Sequence, residues 1–458
     1  MNKNHYILKT YCDKIFLVGS GNFWYQKTES RNDKTLLYKI YSCVLFFTYG
    51  FMTVLEIMAA MMGDFPEDEK RDSVTFATSH TVVMIKFISI IKNKELLKTL
   101  NRKMMMICEA HEEQTLMDEM YRTVKINVVA YCVAVYGSAT FYVFEGLRKF
   151  YNGSHFVTIV TYYPSNDDDT LAATIVRIAT TLVLLMMLLT MIISVDTYTM
   201  AYLIMYKYKF ITLRHYFKRL RENVDELVAA GKARLAAEKL AQGLVEGIKM
   251  HNELLSLSKD IHKAFGTVMA LQLCQSSGSA VSLLLQIAVS NTIVTLVFTC
   301  PRLFLLIFQR DSVICLENVN VVSLEIFACA IETGKNAPFV IYINVIFCFS
   351  LSKDIHKAFG TVMALQLCQS SGSAVSLLLQ IAASLLSDEI FYCGWHKCNS
   401  PVLSTQRNIR DIVLIAILRA QSPLVMKAFK MVELTYATFI LVVRSTYSVF
   451  ALFYAQNK

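Results

Sequence analysis

Long apolar runs alternate with short cation-rich stretches along the first half of this 458-residue chain. A helix rises about 1.5 Å per residue, so crossing a hydrocarbon core about 30 Å thick takes roughly 20 predominantly apolar residues. Four such runs precede residue 210, at roughly 41–62, 73–91, 126–144 and 173–206, and they predict four membrane helices. The fourth is free of charge over 178–195 and is expected to continue as a helix into the following segment. Residues 207–263 place Leu220, Leu227, Leu235 and Leu240 at partly helical spacing among Lys218, Arg219, Arg221, Glu222, Asp225, Glu226, Lys232 and Arg234. This pattern predicts a solvated helical loop, with a subunit contact surface as the alternative.

The second half is complicated by a repeat. Residues 256–288 recur without a mismatch at 350–382, a 33-residue copy. Functional repeats diverge under separate packing demands, so identity points to a recent exon duplication or a faulty gene model, and the faulty model is the favoured reading. The preferred arrangement makes 264–288 the fifth span and 289–349 an atypical insert with apolar runs at 292–298, 303–308 and 339–349. The second copy, 350–386, then takes the place of the sixth span, 387–424 forms an amphipathic segment, and a last helix occupies 425–458. The fold class expected is therefore all-α: a polytopic membrane bundle of about seven transmembrane helices.

Composition agrees, with 55% hydrophobic and 18% charged residues, and only 16 Gly and 6 Pro argue against a loop-rich secreted fold. The net charge of +9 changes meaning once its location is noted. Lys and Arg number 7 in residues 1–40, 7 in 92–125 and 12 in 207–263, against 2 each in 63–72 and 145–172. The positive-inside bias places the first set, and the amino terminus, in the cytoplasm, opposite to G-protein-coupled receptors. These cations act as topology signals, so no nucleic-acid partner is expected. The sequon Asn152-Gly153-Ser154 falls in the 145–172 loop, where glycosylation of Asn152 requires an external position. The first 40 residues lack a continuous apolar core, so no secretory signal peptide is expected and the first span directs insertion.

Twelve Cys are scattered, and Cys43, Cys132, Cys274 and Cys300 lie in apolar runs, where a thiol is a small packing residue. They form no recognisable disulfide framework. Cys393, His396 and Cys398 offer three ligands without a fourth, so no metal is expected. Neither a phosphate loop nor a zinc-protease motif nor a nucleophile elbow is present, so catalysis and cofactors are not expected either.

After the second copy the chain carries Glu389, Trp395, a charged amphipathic stretch at 407–419, Arg419-Ala420-Gln421-Ser422-Pro423-Leu424, and Thr446-Tyr447-Ser448 in a final apolar helix. In this order the elements resemble the carboxy-terminal signature of insect odorant receptors. Phe453 and Tyr454 stand where the related gustatory receptors have Gln and Phe, which favours the odorant branch. The resemblance implies a subunit of a ligand-gated non-selective cation channel, assembled as a heterotetramer with the shared odorant co-receptor in the plasma membrane of olfactory sensory neurons. It also implies that the last span lines the pore, that the carboxy terminus is extracellular, and that a volatile ligand binds in the outer half of the bundle.

On that basis Thr446, Tyr447, Ser448, Val449, Phe450 and Phe453 are pore candidates. Val449, Phe450 and Phe453 are suited to a hydrophobic constriction, and Tyr447 to packing and hydrogen bonding. Arg444 in the same helix should avoid lipid. A volatile ligand asks for apolar and aromatic walls with few polar groups, which Phe87, Tyr131, Tyr136, Phe141, Met187 and Met191 would supply as a group, although core packing explains each singly. His80 and Lys86 interrupt the second span as candidates for a water-filled cavity or relay; snorkelling towards the cytoplasmic end is the simpler reading of Lys86. Competing readings are a non-functional product of a damaged gene, a gustatory or G-protein-coupled receptor, and a transporter.

Overall fold

The computed structural model describes residues 3–26, 32–63, 65, 67–151, 161–164, 168, 170–289, 384–398, 405–421, 427–428, 432–433, 441, 444 and 448. The helices in chain order are α1 (Lys3–Leu17), α2 (Leu36–Met62), α3 (Glu67–Lys92), α4 (Lys94–Met106), α5 (Gln114–Tyr151), α6 (Leu171–Ala229), α7 (Ala233–Val289), α8 (Leu386–Phe391) and α9 (Thr405–Ala420). Short 3-10 turns occupy Glu109–His111 and Trp395–Cys398. Apart from a two-residue antiparallel ribbon, β1 (Lys427–Ala428) with β2 (Val432–Glu433), the described elements are all helical. The expected insert at 289–349 lies outside the described residues but for Val289, and so does the second repeat copy as far as residue 383.

The outward faces of the long helices are apolar. On α2, Leu37, Ile40, Val44, Phe47, Phe51 and Val54 are all exposed at alternating spacings of three and four, which draws one stripe down the helix. Its opposite face buries Tyr49, Thr53, Glu56 and Ala59. Ile126, Val129, Val133 and Tyr136 repeat the stripe on α5, and Leu171, Ile175, Leu182 and Met186 on α6. Bare in water, so much contiguous apolar surface would drive association; in hydrocarbon it is the ordinary exterior of a span. By length and composition α2 and α6 are each able to cross a membrane.

Helix α6 holds the molecule together. Its 59 residues reach about 88 Å, and over 193–206 every residue is buried. Helices α1, α3, α5, α7 and α8 surround it. The end of the bundle holding α1 is here called the basal end. There Tyr198 and Tyr202 of α6 pack their rings 5.6 and 5.3 Å from Phe265 of α7. Asn101 of α4 donates to Phe23 O at 2.9 Å and accepts from Tyr198 Oη at 3.2 Å, which locks α4 to α6. Lys209 Nζ donates to Ile107 O at 2.6 Å and to Glu112 at 2.5 Å, fixing the turn before α5.

Two basal helices differ from the expected plain amino-terminal and 92–125 segments. Helix α1 buries Ile7, Leu8, Tyr11, Cys12 and Ile15 against the core, and α4 buries Leu97, Leu100, Asn101 and Met104. The segment expected as a helical loop over 207–263 forms a helical hairpin, and no break separates it from 264–288, since α7 runs through both. Gly231, at φ +75°, closes α6 with its N–H donating to Val228 O.

Candidate functional site

Two residues before the basal Tyr198, α3, α5 and α6 converge on a buried charge pair. Lys86 Nζ of α3 lies 3.2 Å from Asp196 Oδ1 of α6, and the Tyr131 hydroxyl of α5 donates to Asp196 Oδ2 at 2.7 Å. Lys86 is 1% exposed, so it does not snorkel: the helix turns its stem inward, where Asp196 supplies the counter-charge. A charge in so dry a place is retained only when paired and hydrogen-bonded, and intramembrane ionisable residues commonly mark functional sites.

The candidate ligand residues divide around this pair. Phe87 adjoins Lys86, is fully buried and meets Phe46 edge-on at 5.9 Å between centroids. Phe87, Tyr131 and Met191 belong to one continuous apolar core, with Met187 packed against it. Tyr136 departs from the expected group. Five residues beyond Tyr131 on a helix it is turned about 140° away, and at 45% exposure it joins the lipid-side stripe of α5. Phe141 lies within α5, but its side chain is outside the described residues.

A second polar pair joins α2 to α3. His80 Nδ1 is 2.6 Å from Glu56 Oε2 with both side chains fully buried. Tyr49 Oη donates to His80 O and Ser73 Oγ to Glu56 O, both at 3.3 Å. His80 and Lys86 stand out in the second span, whereas the acids that face them lie on other helices. Glu56 and Asp196 were visible as the lone carboxylates of the first and fourth predicted spans.

Of the pore candidates, Thr446, Tyr447, Val449, Phe450 and Phe453 lie outside the described residues, as does Asn152. Ser448 Oγ donates to Arg444 O at 3.0 Å, one helical turn back. The carboxy-terminal motif is better defined: Glu389 pairs with Arg214 of α6 at 3.2 Å, and Trp395 Nε1 donates to Phe391 O at 3.1 Å. Cys393 is buried whereas His396 is exposed. At the basal end, burial pushes the His251 imidazole of α7 down to about 4, and Arg419 of α9 adds to that shift. Burial raises the Asp33 carboxyl, but hydrogen bonds from Lys94 and the Asn22 amide outweigh it and hold the group below the usual carboxylate range.

The model of the 7tm odorant receptor family matches residues 68–310 and 361–447, well over half of the chain. The match passes over 311–360, inside the stretch that separates the two repeat copies and enters the second. Two solved structures are similar in fold. One is the insect olfactory receptor OR5 from Machilis hrabei, 12% identical over 99% of each chain, with a TM-score of 0.62. The other is OR5 from Machilis hrabei in complex with eugenol, 11% identical over 100% of each chain, with a TM-score of 0.64. No curated protein matches the sequence. At such identities the solved structures speak for the fold, and the family match carries the assignment. This polytopic membrane protein, helical over nearly all of its described residues and a receptor rather than an enzyme, therefore belongs to the 7tm odorant receptor family.

Proposed function

We propose that the chain detects a small volatile molecule and, with the shared odorant co-receptor, forms a ligand-gated non-selective cation channel in the plasma membrane of olfactory sensory neurons, with its amino terminus in the cytoplasm. The observation that carries this reading is the interior around Lys86, Asp196 and Tyr131. A membrane bundle of odorant-receptor family buries the Lys86–Asp196 pair and the Tyr131 hydroxyl within the same apolar core that holds Phe87 and Met191, with Met187 packed against that core. Apolar walls with sparse, fixed polar groups suit a ligand of few heteroatoms. The ligand-binding role goes to Phe87, Tyr131, Met187 and Met191, and the gate to Val449, Phe450 and Phe453 with Thr446, Tyr447 and Ser448 beside them.

Cells co-expressing the chain with the co-receptor should pass cation current when odorants are applied. Eugenol, recorded with the Machilis hrabei receptor, is the first compound to try. Tyr131→Phe should alter the response to phenolic and alcohol ligands more than to hydrocarbons. Surface-delivered protein that stays silent across a broad odorant panel would refute the channel reading.

The perfect 33-residue repeat favours a second reading, in which the chain is a non-functional product of a damaged or misassembled gene. Sequencing the transcript across 250–400 separates the two, because a functional message should carry a single copy.

A further inference from the structure

Two ion pairs of opposite polarity tie the segment ahead of the last span to α6. Arg214 Nη2 lies 3.2 Å from Glu389 Oε1, and Lys397 Nζ lies 2.8 Å from Asp225 Oδ2. Arg214 and Asp225 are separated by about three helical turns, so they share one face of α6 roughly 16 Å apart. At the Asp225 end Gly394, at φ +94°, seats its turn on the helix: a Cβ there would lie 3.6 Å from Val224 Cγ1 and 3.7 Å from Asp225 Oδ1. The same segment buries Leu386, Ile390 and Cys393, and α9 follows with Ile409, Val413, Ala416 and Ala420 buried at spacings of four, three and four. The chain entering the last span is thus docked through its preceding helices onto α6 and α7.

These pairs add little to stability. All four side chains are between about a quarter and a half exposed, where water screens the attraction. Their arrangement instead fixes register. On α6 the order is cation then anion, and on the docked segment anion then cation. If the segment slips along the helix by the distance between the pairs, an acid meets an acid or a base meets a base. Helix α6 is unbroken from Asp196 to Arg214, about 27 Å, so a displacement at the buried ion pair travels along one hydrogen-bonded rod.

We propose that Arg214, Asp225, Glu389 and Lys397 are positioning residues that couple the ligand-binding interior to the pore-lining span, holding α8 and α9 in register with α6. This inference rests on the channel reading above. It concerns how ligand occupancy reaches the gate, and none of the four residues touches ligand or permeating ion.

The test is a charge swap in full-length chain co-expressed with the co-receptor, reading surface delivery, current without odorant, and the odorant concentration giving half-maximal current. Arg214→Glu and Glu389→Arg should each shift that concentration, or the odorant-independent fraction of current, by about two- to fivefold per delivered channel. The double swap should return both to wild-type values, and Asp225→Lys with Lys397→Glu should behave alike. Arg234→Glu, which breaks the exposed Arg234–Glu238 pair away from this segment, should shift nothing. Reversals that reach the surface and behave as wild type overturn the coupling, as do swaps that fail to restore single-variant shifts. If reversal blocks delivery, Glu389→Gln and Lys397→Gln are read instead, and failure of these too would assign the pairs to folding and overturn the inference. A silent wild type defeats the channel reading and this inference with it, whereas an active wild type with unmoved variants defeats the inference alone.

Discussion

Lys86 and Asp196 depend on each other for their place in the membrane. Withdrawing each charge from water costs several kcal/mol, offset by their mutual attraction and by the Tyr131 hydroxyl on the second carboxylate oxygen. Lys86→Met or Asp196→Leu alone leaves a buried charge without its counter-charge and should destabilise the protein by about 3–5 kcal/mol. Both together remove the problem and should melt near the wild type. Thermal unfolding of detergent-purified protein gives the comparison, and single variants as stable as the wild type would mean that water already reaches the pair. The sequence announced a cation in the second span but not which way it faced, because its partner lies 110 residues away on another helix. The same blindness to rotation grouped Tyr131 with Tyr136, although one meets Asp196 and the other faces outward.

Between helices, the two arms of the α6–α7 hairpin approach closely at two glycines. A Cβ on Gly247 would stand 2.4 Å from Phe217 Cζ, and one on Gly243 would stand 2.5 Å from Leu220 Cδ1. Phe217 is fully buried, so its ring has nowhere to swing. Gly247→Val should therefore push the two helices apart and destabilise the protein by about 1–3 kcal/mol. Gly137→Ala in α5, where an added Cβ meets nothing within 4 Å, should instead stabilise by about 0.5–1 kcal/mol through helix propensity. Thermal unfolding of the two variants side by side checks the contrast, and an unshifted Gly247→Val would rule out this separation. Elements of this kind were unevenly legible. A run of twenty apolar residues exposes α2, the core of α3, α5 and the upper part of α6, because the bilayer imposes that length. Helices α1 and α4 are shorter and amphipathic, each burying one face against protein, Ile7, Leu8, Tyr11, Cys12 and Ile15 among others on α1 and Leu97, Leu100, Met104 and Met105 on α4. Their amphipathic spacing is present in the sequence, but neither carries an apolar run long enough to be set by the bilayer.

At the scale of the molecule, the packing ties together loops that the charge pattern could only sort one by one. Helix α1, the start of α2, the junction of α3 with α4, the start of α5 and the α6–α7 hairpin all gather at the basal end, linked by contacts such as Lys103–Asp260 at 2.6 Å and His111–Glu246 at 3.0 Å. At the other end the α5–α6 connection touches α2, where the Tyr162 N–H donates to Leu55 O at 3.1 Å. One measurement of sidedness therefore orients the whole bundle. The cation-rich segments 1–40, 92–125 and 207–263 coincide with the basal set, and moving Lys or Arg across the bilayer is what the positive-inside bias resists. An epitope at the amino terminus should be stained only after permeabilisation, and one placed in 145–172 should be stained on intact cells. External staining at the amino terminus would invert every loop at once, because no single helix can be turned over without tearing α1 and α4 from α6. It would also put twelve cations of the hairpin on the outer face, so the charge rule and the channel reading would have to be abandoned together.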